Sequence, residues 1–284
     1  MKQAVFLIQT DDRKGLVAEI TTFFTGKGFN IVHCQQYTDE IDGKYFMRLL
    51  VDLTGMMMTR KELEESFAVL AAKLKLKHSV HYSDERQKMA IMVSKTSHCL
   101  YDLLMHCEEG DLECEVPLVI GNHPELEAVA DRFGVPFFCC PVTPETRREQ
   151  EAQVLELLKR HRIDLVVMAR YMQILSSGFI AEYPDRIINI HHAFLPAFQG
   201  GNPYRRAWER GVKMIGATAH YATVDLDEGP IIEQDVERIR HDLTPDDLRN
   251  IGKDIERRVL TRAVQMHLQH RVIISGHRTI VFGR

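Results

Sequence analysis

Residues 188–207 read INIHHAFLPAFQGGNPYRRA, an apolar run that ends in an amide and two imidazoles and then breaks into Pro and Gly. Side chains along a strand alternate, so Asn189 and His191 share one face while Ile188 and Ile190 share the other, where a helix can cover them. Pro196, Gly200 and Gly201 prevent continuation and make a loop that can close over a ligand. Polar, titratable groups at the carboxyl end of an apolar strand are what an open, helix-covered sheet places beside its ligand. The stretch therefore predicts an α/β fold with its functional edge here.

The flanking sequence carries the same rhythm. From Met89 onward come MAIMVS, a helix from Ser97, LECEVPLVIG, a helix from Pro124, VPFFCC, a long helix from Thr146, IDLVVMA and RIINI, with later strands over 212–222 and 230–236. Repeated βα units predict a mostly parallel sheet covered by helices. The first 84 residues read differently. A β-rich run over 2–10 precedes Leu16, Val17, Ile20, Phe23 and Phe24 at helical spacing, closed by Lys27-Gly28. Strand-like runs over 30–41 and 44–53 meet at Asp42-Gly43, a hairpin signal because both residues tolerate positive φ. Leu63, Phe67, Leu70 and Leu74 mark a second helix, and 78–82 a last strand. The order βαββαβ predicts a ferredoxin-like unit. DERQK, charged and free of apolar residues, suits an exposed linker, so the expected domains are 1–84 and 85–284.

The chain has 284 residues, enough for two domains with real cores. It carries 36 basic and 40 acidic residues, a formal net charge of −4, with no dense Lys/Arg block to neutralise a row of phosphates, so nucleic acid is not an expected partner. No apolar run reaches the roughly 18 residues that cross a bilayer, and the opening MKQAVFLIQTDDRKG reads as a strand followed by charge rather than a signal peptide. A cytoplasmic protein with no membrane partner is expected. The six cysteines form no CxxC pair, which predicts free thiols and no disulfides.

Asn189 and His191, side by side at a sheet mouth, can hold a carbonyl oxygen as it gains charge. Spacing alone equally allows Asn189 as a turn cap and His191 as a surface histidine. A second stretch, GATAHYATVDLDEGPII over 216–232, puts His220 near a strand end, then Asp225, Asp227 and Glu228 before Gly229-Pro230. A carboxylate facing an imidazole can orient a water or accept its proton, as hydrolysis or acyl transfer demands; a plain acidic turn is the other reading. His191, His220 and Asp227 could also serve as three metal ligands. No HExxH and no helical His pair accompanies them, so neither a metal nor another cofactor is expected.

INIHHAFLPAF with ATAHYATVDLDEGPIIEQ resembles the formyltransferase family that uses 10-formyltetrahydrofolate, whose pattern is Asn-x-His followed later by Asp-x-Gly-x-Ile-Ile. The resemblance implies Asn189, His191 and Asp227 as catalytic residues, with His220 in support, on a Rossmann-like sheet. MARYMQILS, residues 168–176, is similar to the family's folate-pocket segment. It implies folate contacts from Arg170, Tyr171, Met172, Gln173, Ile174 and Leu175, with Asp225 nearby; Gln173 stands where glycinamide ribonucleotide formyltransferases commonly carry Arg. The first 84 residues, with TDDRKGLVAEIT and GFNIVHCQQ, look like an ACT domain, a regulatory unit that usually pairs with a second copy to bind a small amino acid. This implies an effector, glycine or methionine, near Asp12, Gly15 and Asn30, and a homo-oligomer.

The two domains in this order resemble the formyltetrahydrofolate deformylase family, which implies hydrolysis of 10-formyltetrahydrofolate to tetrahydrofolate and formate, supplying formate for purine biosynthesis. The residues after the first strand of the second domain, VSKTSHCLYDLL, contain no glycine to let backbone approach a phosphate. The sequence ends on RTIVFGR, so the basic added domain of a tRNA formyltransferase is not expected. Both features favour water as the acceptor. The alternatives are a formyltransferase with an amine acceptor and a non-catalytic amino-acid sensor.

Overall fold

The computed structural model describes residues 2–196 and 203–283. Gly200 and Gly201, expected to close a loop over the ligand, lie outside the described residues. Two compact units emerge, Met1–Arg86 with His270–Ile273 and Ile280–Arg284, and Gln87–Gln269 with Ile274–Thr279.

The first unit runs β1 (Gln3–Asp11), α1 (Leu16–Gly26), β2 (Asn30–Asp39), β3 (Lys44–Asp52), α2 (Arg60–Leu74) and β4 (Lys77–Tyr82), the predicted βαββαβ order. Its antiparallel sheet is ordered β2-β3-β1-β4. Period-two alternation gives the sheet two apolar faces. Ala4, Phe6 and Ile8 pack with Ile20 and Phe24 of α1 and Phe67 of α2, while Leu7 and Phe46 pack with Ile273, Ile280 and Phe282. Phe6 meets Phe24 and Phe67 edge-on, with ring centroids 4.8 and 5.0 Å apart. Asp42-Gly43 does turn β2 into β3, with Gly43 at φ 60°. The C-terminal segments therefore depart from the expected division at residue 84: Ile273, Ile280 and Phe282 are the apolar cover of the first unit's sheet.

The second unit contains β5 (Gln87–Val93), α3 (His98–Glu109), β6 (Cys114–Gly121), α4 (Glu127–Arg132), β7 (Phe137–Cys139), α5 (Arg147–Arg160), β8 (Leu165–Met168), α6 (Ser177–Glu182), β9 (Ile187–His191), α7 (Pro203–Arg210), β10 (Met214–Tyr221), β11 (Ile231–Arg238) and α8 (Pro245–Leu268). A terminal pair follows, β12 (Val272–Ser275) with β13 (Arg278–Val281). The sheet is ordered β11-β10-β9-β8-β5-β6-β7. β9 through β7 are mutually parallel, whereas β10 and β11 run antiparallel to their neighbours. Met89 to Val93 on β5 are fully buried, as expected of a strand covered on both faces. The sequence reading missed α8. Thr244 and Asp247 form a capping box with Pro245 in the first turn, and Leu248, Ile255, Val259, Leu260 and Ala263 make its buried stripe.

Candidate active site

β9 delivers Asn189 and His191 to the carboxyl end of the sheet's parallel strands, and antiparallel pairing sets His220 of β10 opposite Asn189 and Thr218 opposite His191. A register shift between Ala219 and His220 in the β10–β11 pairing marks a bulge, which re-aims the side chain that follows. The loop after β10 then returns to the sheet at Gly229, where an added Cβ would overlap the carbonyl oxygen of Tyr221. That close approach folds Asp227, at φ 58°, back over the strand ends. Thr218, fully buried, fixes the other loop: its hydroxyl donates to Ala193 O at 2.9 Å and accepts from Leu195 N at 3.1 Å.

The result is a compact set. His191 Nδ1 lies 3.1 Å from Asp227 Oδ2, and His220 Nε2 lies 3.6 Å from Asp227 Oδ1. Asn189 Nδ2 is 3.2 Å from His220 Nε2. His220 Nδ1 lies 3.0 Å from the Tyr221 carbonyl, which only accepts, so that nitrogen carries the proton. Burial works to raise the Asp227 carboxyl, but the two imidazoles that face it, His191 first and then His220, outweigh it and hold the group well below the usual carboxylate range. With Nδ1–H directed at Asp227, His191 presents Nε2 as its free acceptor, and this atom is buried with no protein partner. His192 stacks on His191 with centroids 5.1 Å apart. Burial, then the nearby Arg170 and His191, push its pKa down to about 4.

These groups line a cavity of about 480 Å³. The segment Arg170 to Leu175 forms one wall, Asn189, His191 and His220 the floor, and Leu226 and Asp227 the facing loop. The 170–175 segment is braced from below. Met172 N donates to Ser94 Oγ at 2.9 Å, Gln150 Nε2 to Tyr171 Oη at 2.9 Å, and Arg147 to the Ile174 carbonyl. Met172, Ile174, Val224 and Leu226 are exposed and give the cavity an apolar rim.

Of the residues expected from sequence at this site, Asp225 alone is absent from the cavity lining. It is exposed, and its backbone carbonyl accepts from Thr223 Oγ1 at 3.0 Å to form the turn. The expected effector residues lie in the first unit. Asp12 and Gly15 are in the β1–α1 turn, Gly15 at φ 91° with nothing within 4 Å of an added Cβ, and exposed Asn30 opens β2. Sequence reasoning missed His192, Tyr204 and Glu256. The last had a signal: it is a carboxylate on the apolar stripe of α8, beside Ile255 and Val259.

The Formyl transferase family model matches residues 87–264, and the ACT domain family model matches residues 4–56. A formyltetrahydrofolate deformylase from Synechocystis is 50% identical, with 99% of this chain and 98% of that protein aligned. The crystal structure of a formyltetrahydrofolate deformylase from Pseudomonas syringae superposes with a TM-score of 0.97 at 36% identity, covering 100% of this chain and 95% of that one. A glycinamide ribonucleotide transformylase from Symbiobacterium toebii superposes with a TM-score of 0.66 at 31% identity, over 72% of this chain and 97% of its own. With the two domain matches in this order and relatives aligned along nearly its whole length, this chain belongs to the formyltetrahydrofolate deformylase family.

Proposed function

We infer that the chain hydrolyses 10-formyltetrahydrofolate to tetrahydrofolate and formate. The observation that carries the chemistry is the His191–Asp227 pair, with Nδ1 held at 3.1 Å and Nε2 buried and unpartnered at the cavity floor. The folded loop keeps Asp227 ionised, so Nε2 is the base that takes a proton from water as its oxygen attacks the formyl carbon. The imidazolium so formed is balanced by Asp227. With an Asn189 N–H it holds the developing oxyanion, then returns the proton to the departing folate nitrogen. His220 fixes Asn189 and the Asp227 loop. The apolar rim of Met172, Ile174, Val224 and Leu226 suits a flat heteroaromatic ring. Incubation of the purified protein with 10-formyltetrahydrofolate and no amine tests the reading. Formate and tetrahydrofolate are expected in equal amounts; no release without an amine would sink it.

For the first unit we propose amino-acid binding, by glycine or methionine, at the β1–α1 turn, in a homo-oligomer. Gly15 leaves room there for backbone to approach a ligand. β2 is an edge strand, mostly exposed along its length, and an open edge is a template for a second copy.

A further inference from the structure

In a sheet ordered β9-β8-β5-β6-β7 the connections diverge between β5 and β8, and open α/β sheets bind ligands outside the carboxyl ends of the strands at such a switch point. Here that place is filled. His98 from the start of α3, Arg170 just after β8, Tyr204 of α7 and Glu256 of α8 converge there. Glu256, 1% exposed, accepts from Tyr204 Oη at 2.5 Å through one oxygen. Its other oxygen is 2.7 Å from His98 Nε2 and 3.5 Å from Arg170 Nε. One turn before Glu256, Gly252 makes the room, since a Cβ there would overlap the Tyr204 ring.

The cluster is not built for stability. Arg170 Nε and Nη1 are buried without a hydrogen-bond partner, and a buried ion pair with unmet donors recovers little of its desolvation cost. Arg170 also holds φ at 64°, a conformation that glycine adopts freely and other residues adopt uncommonly. Such an outlier points to a functional reason for the side chain. A cation site is a poor alternative, although His98, Cys99 and Glu256 are close enough for one. Burial pushes the Cys99 thiol well up, which keeps it protonated, and Arg170 already balances the carboxylate.

We propose that Arg170, locked by Glu256, Tyr204 and His98, is a specificity-determining plug that fills the acceptor side of the crevice and restricts the formyl acceptor to water. This rests on the hydrolase reading above. Arg170 and Tyr204 line the same cavity as Asn189 and His191, so the plug forms a wall of the reaction chamber. A primary amine carrying a substituent meets filled volume on that side, whereas water is small enough to reach the formyl carbon from the open part of the cavity. With an amine admitted, nitrogen would attack the formyl carbon, the folate nitrogen would leave with a proton, and a formamide would replace formate.

The test follows products of 10-formyltetrahydrofolate with and without glycinamide. Wild type should give formate only, with no inhibition of its release by glycinamide. Arg170→Gly, which suits the left-handed backbone, should give N-formylglycinamide at roughly tenfold or more above the background that wild type shows. The double variant R170G/E256Q, which leaves no unpaired buried carboxylate, should do the same, while Arg170→Lys should keep the wild-type ratio. Transfer to glycinamide by wild type, or competitive inhibition of wild type by it, would overturn the proposal whether or not the variants fold. So would folded variants that turn over at the wild-type product ratio. Failure of wild type to release formate without amine would instead overturn the hydrolase reading.

Discussion

Two aspartates two residues apart occupy opposite situations. Asp227 is drawn between two imidazoles, whereas Asp225 is exposed and contributes its backbone carbonyl to the turn. Asp227→Asn should lower formate release on the order of 10²-fold or more while folate still binds, and Asp225→Asn should change it only a few-fold at most; assays of both variants with folate titrations check the assignment, and the reverse pattern refutes it. His192 gives a prediction in pH. Its pKa in the folded protein lies at about 4, against roughly 6.5 in an unfolded chain. As pH falls through that window the unfolded chain takes up the proton first, so stability declines on acidification, and the penalty is complete below the folded value. The full effect is at most about 3 kcal/mol. Replacing His192 with Gln should flatten the fall in Tm between neutral pH and about pH 4 relative to wild type; parallel melting curves would expose a failure.

At the scale of elements, the loop after β10 owes its shape to Gly229. An added methyl there meets the Tyr221 carbonyl, which is backbone and cannot swing aside. Gly229→Ala should therefore cost about 1–3 kcal/mol in stability and, by moving Asp227, about 10²-fold in turnover; an unchanged rate would mean the loop does not position the carboxylate. Much of this region was legible in the sequence. Asn189 and His191 stand out as polar groups ending an apolar run, and Asp42-Gly43 is turn chemistry that needs no partner. The bulge at His220 was not, because it depends on pairing with β11, and neither was the plug, whose four members come from four separate elements. α8 is a different kind of miss. Its start signal, Thr244-Pro245-Asp246-Asp247, is local, but its stripe is interrupted by Gly252 and Glu256, the two residues that serve Tyr204. The terminal strands pair with each other across Gly276, but nothing local shows that Ile273, Ile280 and Phe282 cover the first unit's sheet; contacts so distant in sequence leave no periodic signature.

For the whole molecule, that distant cover decides how regulation can be tested. Removing residues 1–86 would leave Ile273, Ile280 and Phe282 without Leu7 and Phe46, so a truncated enzyme confounds lost regulation with an exposed apolar patch. The full chain avoids this through reciprocity. If an amino acid bound in the β1–α1 turn changes folate affinity by some factor, folate must change amino-acid affinity by the same factor, typically about 5–150 for a genuine coupling. Calorimetric titrations of glycine and of methionine, each with and without a bound folate, should therefore show matching ratios for whichever is the effector. Gly15→Val, which puts a β-branched side chain at φ 91°, should abolish the response, and Asn30→Ala should weaken it, both without altering formate release in the absence of effector. If neither amino acid binds at concentrations on the order of millimolar, or binding leaves folate affinity unmoved, no differential affinity exists to shift a population. The unit's open β2 edge would then serve association between copies alone, and sedimentation of the wild type against a Val32→Lys edge variant would still read that role.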